Sequence, residues 1–232
     1  MSAATAAESL QVLAARSAAS PLADGAAQDS TSAATPDSPA YFDAMFAVSD
    51  DPWQFKSRWY ERRKRALTLA CLPAQRYASA YEPACANGEL SAALAPRCDR
   101  LLVSDGVDRA VDLARARLST HSNVKVVKAW LPDQWPEGSF DLIVLSEFLF
   151  YLTPATLHKL ARCVLSSLRP QGVVLACHWV HPIKACVLTG NTAHDQLDDL
   201  LALPNVCQLR EPDLRLDVWT QAPTAAALDG LS

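Results

Sequence analysis

Several things are missing from this sequence. No apolar run approaches the roughly 18 residues that a membrane-spanning helix needs, so no membrane partner is expected. Positive charge is not in excess: 21 Lys and Arg stand against 25 Asp and Glu, a net charge of −4, so nothing suggests a surface for nucleic acid. The seven cysteines, at 71, 85, 98, 163, 177, 186 and 207, form no C-x-x-C pair, which leaves neither a zinc site nor a disulfide framework as an organising device. An odd number of lone thiols fits a reducing, cytoplasmic compartment. The N-terminus lacks a basic stretch followed by an apolar one, so a secretory signal is not expected, and Glu8, Asp24 and the sparse arginine argue against a transit peptide. Residues 1–40 have no aromatic side chain and are rich in Ala, Ser and Thr, which predicts a disordered tail, and 222–232 reads as a second, flexible one.

Half of the 232 residues are hydrophobic, enough for the core of one domain, expected over 41–221. The centre of that domain is the stretch 79–90, SAYEPACANGEL. A short apolar run ends at Glu82, a turn-like stretch runs from Pro83 to Gly88, and helix-forming sequence opens at Glu89. Strand, tight loop and helix is the layout in which backbone N–H groups hold an anionic or polar cofactor group. About twenty residues on, a second apolar run ends in Asp105, which is placed to accept hydrogen bonds from ribose hydroxyls. The loop is nevertheless poor in glycine: of positions 84, 86 and 88, where a G-x-G-x-G pattern would fall, only Gly88 is glycine.

Asp51–Pro52 predicts a helix over 51–72, with Asp as cap, Pro at the first position and Pro73 as the stop. Its basic residues, Lys56, Arg58, Arg62, Arg63, Lys64 and Arg65, read as a solvated face; in the alternative, Trp59, Tyr60 or Arg63 reach over a ligand as part of a lid. Apolar spacing predicts further helices over 107–118, 154–168 and 192–203, and strands over 124–129, 141–145, 173–177, 205–210 and 214–220. The link Glu211–Pro212–Asp213 is too short for a crossover helix, so the last two strands must form an antiparallel hairpin. Five strands alternating with helices, then a hairpin, predict a doubly wound α/β fold with a mostly parallel sheet and one reversed edge region. Ligands bind such sheets at the carboxyl ends of the strands, where Glu82, Asp105, Trp130, Glu147 and His178 fall. The closing hairpin and the tryptophan after the third strand argue against an NAD-dependent oxidoreductase.

Taken together, Tyr41–Phe42–Asp43, Asp51–Pro52–Trp53, the run from Trp59 to Arg65, Glu82–Pro83–x–Cys85, the segment 131–136, the run from Phe140 to Glu147 and Cys177–His178–Trp179–x–His181–Pro182 resemble the nodulation protein S (NodS) type of class I S-adenosylmethionine-dependent methyltransferase. The resemblance covers 41 to about 220. It implies a Rossmann-like, seven-stranded methyltransferase sheet, S-adenosylmethionine as cofactor, and N-methylation of an amino sugar such as a deacetylated chitin oligosaccharide. Glu82, Ala84, Ala86, Gly88, Asp105, Trp130 and Leu131 are then expected on the cofactor side. Trp59, Arg63, Tyr151 and His181 are expected on the acceptor side. Methyl transfer to an amine needs the nitrogen neutral and in line with the sulfonium, so Glu147 and His178 are the candidates to take its proton. A structural His178 behind a buried strand is the alternative. A metal site made of both histidines and Glu147 is disfavoured, because His181 precedes a proline. The oligomeric state is left open.

One departure stands out. The family pattern E-P-G-C-G-x-G appears as Glu82–Pro83–Ala84–Cys85–Ala86–Asn87–Gly88, and Gly106–Val107 stands where the family usually has Ile-Ser. A Cβ at 84 or 86 is expected to crowd the cofactor, which keeps open a degenerate, non-catalytic methyltransferase fold that acts as a binding or regulatory protein. Glycine restored at both positions should then tighten cofactor binding at some cost in fold stability.

Overall fold

A computed structural model describes residues 35–231, so the expected N-terminal tail lies outside the described residues up to position 34. The described chain forms a seven-stranded sheet with helices on both faces. Its strands are β1 (Ala80–Pro83), β2 (Leu101–Asp105), β3 (Val124–Lys128), β4 (Phe140–Ser146), β5 (Leu168–Trp179), β6 (Asn205–Arg210) and β7 (Leu214–Thr220). Their order is β3-β2-β1-β4-β5-β7-β6. The first five are parallel, β7 runs antiparallel to β5, and β6 pairs antiparallel with β7 as the expected hairpin. The strand order reverses between β1 and β4, so the crevice of such a sheet opens beyond their carboxyl ends.

The helices are α1 (Pro39–Val48), α2 (Trp59–Ala70), α3 (Glu89–Leu94), α4 (Asp108–Arg117), α5 (Pro154–Ser167), α6 (Gly190–Leu201) and the short α7 (Ala225–Leu228). Alternate side chains of the strands feed two cores. Ala80, Leu142, Val144, Leu175 and Cys177 pack with residues of α2, α3 and α4. Tyr81, Ile143, Leu145, Val174 and Ala176 pack with α5 and α6. A strand buried on both faces has to be apolar throughout, which is why 141–145 and 173–177 were readable from sequence.

The expected helix over 51–72 is corrected at its start. Asp51 does act as a cap, but of a loop: its carboxylate accepts from the amides of Phe55 (2.8 Å) and Lys56 (3.0 Å), and Gln54 sits at φ 61°, where a helix cannot continue. The helix begins only at Trp59, and a separate helix, α1, precedes the loop. Strand β5 also starts earlier than expected, at Leu168, because Leu168 pairs with Phe140 before the register shifts ahead of Leu142. Within the stretch expected to be a flexible C-terminal tail, Thr224 caps the single helical turn of α7.

Helix α6 comes very close to the end of β5. A Cβ built on Gly190 would lie 2.1 Å from the carbonyl oxygen of Trp179 and 3.2 Å from the Cβ of His178. That contact is with backbone and cannot yield cheaply. Gly190→Ala should therefore destabilise the fold by roughly 1–3 kcal/mol, the range for overpacking, read as a lower urea midpoint with an unchanged slope.

Candidate functional site

The segment after β1 is held by Asp105 at the end of β2. One carboxylate oxygen accepts from the amide of Ala86 (2.9 Å) and the other from the amide of Val107 (3.0 Å). The side chain thus ties the 84–88 loop to the turn that opens α4, and it stays only half-buried. Burial raises its carboxyl above the usual range, while the amides of Val107, Ala86 and Gly106 pull the other way. Glu82 lies deeper. It is 3% exposed, its Oε2 has no hydrogen-bond partner, and burial pushes its carboxyl up to about 8. The Oδ1 of Asn87 is likewise buried without a partner, while its Nδ2 donates to Asp51 (2.9 Å) and so binds the loop before α2 to this one. Orphaned buried oxygens are expensive in a finished interior, and two of them line this loop. Trp130 packs against the turn after β2: a Cβ on Gly106 would lie 2.2 Å from its ring. The departure Gly106 therefore has a packing reason.

Ala84 (φ 54°) and Ala86 (φ 47°) are both left-handed, and Gly88 (φ 78°) caps α3 in the same region. The loop keeps a glycine backbone while carrying alanine side chains. This reverses the expected sign for stability. A left-handed alanine costs ~1–2 kcal/mol, more than the ~0.4–1 kcal/mol of unfolded-state entropy that glycine adds.

The opposite wall is built on Glu147, directly after β4. It too is left-handed (φ 59°), and strained non-glycine residues of this kind concentrate at functional sites. Its Oε1 accepts from Lys64 Nζ (2.9 Å) and from the Trp179 amide (3.0 Å). Its Oε2 has no hydrogen bond among the described residues. Lys64 also pairs with Glu61 (2.7 Å), and its side chain is only 6% exposed. Lys64 was expected on a solvated face, so this is a correction: one turn of α2 carries it inward between two carboxylates. Burial works against its charge, but Glu147 and Glu61 prevail and hold the ammonium above the ordinary lysine value. Burial raises the Glu147 carboxyl above its ordinary value, with the Lys64 charge opposing.

Aromatic side chains from the N-terminal segment line the same end of the sheet. Phe42 meets Trp130 and Tyr151, and Tyr60 stands edge-on to Trp179 with ring centres 5.6 Å apart. Tyr151 is buried and Leu131 partly buried in the same cluster. Trp59 is 69% exposed, with the Arg62 guanidinium over its ring. Arg63 makes a two-pronged pair with Glu211 (2.7 and 2.6 Å), and His181 pairs with Asp213 (2.7 Å), so both meet the β6–β7 turn. His178 is fully buried, with both ring nitrogens engaged by Leu149 and His194. It cannot reach an acceptor, and the alternative of a structural histidine holds.

Against known proteins, a family model described as nodulation protein S (NodS) matches residues 44–181, more than half of the chain. The chain belongs to the NodS family. Nodulation protein S of Rhizobium tropici is 38% identical over 106 residues, 45% of this chain and 44% of the relative. That of Sinorhizobium fredii is 32% identical over 127 residues, 54% and 59%. The match thus spans well under two thirds of these curated relatives. A candidate methyltransferase from Pseudomonas syringae, solved by crystallography, is 50% identical with a TM-score of 0.65, over 71% of this chain and all of that one. The N-methyltransferase NodS of Bradyrhizobium japonicum WM9, solved with S-adenosylhomocysteine, has a TM-score of 0.66 at 22% identity, over 78% and 97%, and shares the fold.

The left-handed alanines carry a direct test. Ala84→Gly/Ala86→Gly should raise the stability of the ligand-free protein by on the order of 1 kcal/mol per site. For a chain of this size that is a rise of about 2–4 °C in Tm for each kcal/mol, measured by calorimetric unfolding.

Proposed function

We propose that this chain is an S-adenosylmethionine-dependent N-methyltransferase acting on an amine of a sugar or oligosaccharide, with 41–221 as its catalytic unit. The observation that carries the reading is the pairing of two groups beyond adjacent strand ends. Asp105 and the 84–88 loop lie on one side, and the strained, lysine-paired Glu147 lies on the other. Tyr81 on β1 is in register with Ile143 on β4, and Cys85 and Glu147 each follow four residues later. The names of the relatives and of the S-adenosylhomocysteine complex support the same chemistry.

The residues present fit the cofactor. Asp105 has acceptor capacity left beyond its two amides for ribose hydroxyls. The unpartnered amide oxygen of Asn87 offers an acceptor beside the loop, the buried Glu82 carboxyl offers a polar group that can donate when protonated, and Trp130 and Leu131 offer an apolar edge for a purine. Bound, the cofactor supplies an electrophilic methyl group on a sulfonium. The remaining work falls to the protein. Glu147 uses its free Oε2 to receive the proton that the acceptor nitrogen must lose. A carboxyl above the ordinary glutamate value is a better proton acceptor, while the Lys64 ammonium keeps it ionised before the acceptor arrives. Tyr151, Trp59, Arg63 and His181 form the acceptor's approach. The left-handed backbone at 84 and 86 keeps the loop in a glycine-like conformation despite the two Cβ atoms, and nothing favours the non-catalytic alternative. No described helix is long and apolar enough to cross a membrane, and seven free thiols suit a reaction in the cytoplasm.

Titration calorimetry of the full chain should show binding of S-adenosylmethionine and none of NAD, and radiolabelled methyl should reach a glucosamine oligosaccharide. Asp105→Ala should weaken S-adenosylmethionine by about 1.5–3 kcal/mol, as for a charge-assisted hydrogen bond. Glu147→Gln should lower kcat by about 10²–10⁴ with cofactor affinity kept. Full activity in the glutamine variant would remove the base role, and no binding of S-adenosylmethionine would remove the whole reading.

A further inference from the structure

A buried polar chain runs behind Glu147. His194 on α6 faces His178 on β5, with Nε2 2.9 Å from the latter's Nδ1. The Nδ1 of His194 lies 2.6 Å from Asp217 Oδ2 on β7. Arg215 Nε donates to the same Asp217 oxygen at 2.6 Å, and its Nη1 reaches out to Asp195 at 2.6 Å. His178, His194 and Asp217 are all 0% exposed. At the other end, His178 Nε2 accepts from the backbone amide of Leu149 at 3.2 Å.

That last bond dictates the protons. A nitrogen that accepts from an amide carries no hydrogen, so His178 must hold its proton on Nδ1 and donate it to His194 Nε2. His194 must in turn hold its own on Nδ1 and donate to Asp217. Both rings are neutral, and every ring nitrogen is used once. Burial favours this state in both rings. For His178 the neighbouring His194 and Lys64 add to it, and for His194 the pull of Asp217 opposes it. Because the chain ends on an amide hydrogen, it is no proton wire to an acceptor. Leu149 opens the short 3-10 turn Leu149–Tyr151, whose first amides have no partner within the turn. That turn begins two residues after Glu147 and contains Tyr151.

We propose that His178 and His194 are positioning residues for Glu147: the buried chain holds the 147–151 turn by the Leu149 amide and so keeps the strained carboxylate facing the acceptor. This rests on the reading of Glu147 as the proton acceptor. The arrangement also explains why a histidine that cannot touch an acceptor sits directly before Trp179, whose own amide holds Glu147. Glu147 is thereby anchored from two sides of one strand end.

Two substitutions separate the two bonds of His178. In His178→Gln the side-chain oxygen can stand where Nε2 accepts from Leu149. In His178→Asn the amide can stand where Nδ1 donates to His194, and Leu149 loses its acceptor. Both should lower Tm. Leu149 amide exchange in the full-length protein, corrected for stability, should stay within about threefold of the parent in His178→Gln and rise at least tenfold in His178→Asn. The ¹³C resonance of the Glu147 carboxyl should move only in His178→Asn. With a glucosamine oligosaccharide as acceptor, kcat should fall at least tenfold in His178→Asn and no more than about fivefold in His178→Gln, with S-adenosylmethionine affinity unchanged in both. Equal exchange in the two variants, or a kcat that simply follows Tm, overturns the proposal. If the parent transfers no methyl group to the amine, the functional reading falls, while exchange and the carboxyl shift still decide the anchoring. The parent alone gives an answer that needs no variant: imidazole ¹⁵N shifts must show both rings protonated on Nδ1, and an Nε2–H on either ring sinks the proposal.

Discussion

A lysine ammonium carried into a protein interior has to be met by carboxylates, and much of this architecture follows from how Lys64 is met. Leaving water is expensive for any ion, so a buried charge persists only where partners are fixed at hydrogen-bond distance. Glu61, one turn earlier on α2, and Glu147, beyond β4, supply them. The pair between Lys64 and Glu147 spans 83 residues of sequence and pins α2 to the carboxyl end of the sheet. Around it, Tyr60 reaches the hairpin turn through the Asp213 carbonyl and Arg63 through Glu211. The helix is thereby a wall of the site rather than a loose cover.

Three of the seven left-handed non-glycine residues among those described gather at that same end. Ala84, Ala86 and Glu147 are left-handed, and all three follow strands that the sheet order places side by side. Side chains with a Cβ adopt this conformation only where the surroundings impose it. At Ala86 the imposing group is Asp105, which holds the amide; at Glu147 it is Lys64 and the Trp179 amide. Sharp turns at these positions bring backbone and side chains to face the crevice instead of continuing the sheet.

The polar chain behind β5 adds a second layer of constraint. A group of 0% exposed polar side chains is costly if any member is left unpaired and rigid if all are satisfied. Here every ring nitrogen is used, so the chain links β7, α6 and β5 to the turn after β4. Gly190 lets α6 approach near enough for His194 to take part.

The α/β class, the parallel order of the buried strands and the closing hairpin were legible in the sequence, because burial on both faces demands unbroken apolar runs and a three-residue link admits only a hairpin. Membership of the NodS family was legible for a related reason: its motifs are short, local runs such as Cys177–His178–Trp179 and Phe140 to Glu147. Only the tertiary structure decided where α2 starts, because Asp51 caps a loop as readily as a helix and nothing local reveals the left-handed Gln54. The same holds for the inward turn of Lys64, which looks like any basic residue of a solvated face until β4 delivers Glu147. It holds also for His178, whose two ring partners lie 16 and 29 residues away along the chain. Local pattern reports what a residue does to its own helix or strand. The pairing of charges and protons between distant segments exists only once the sheet has brought their ends together.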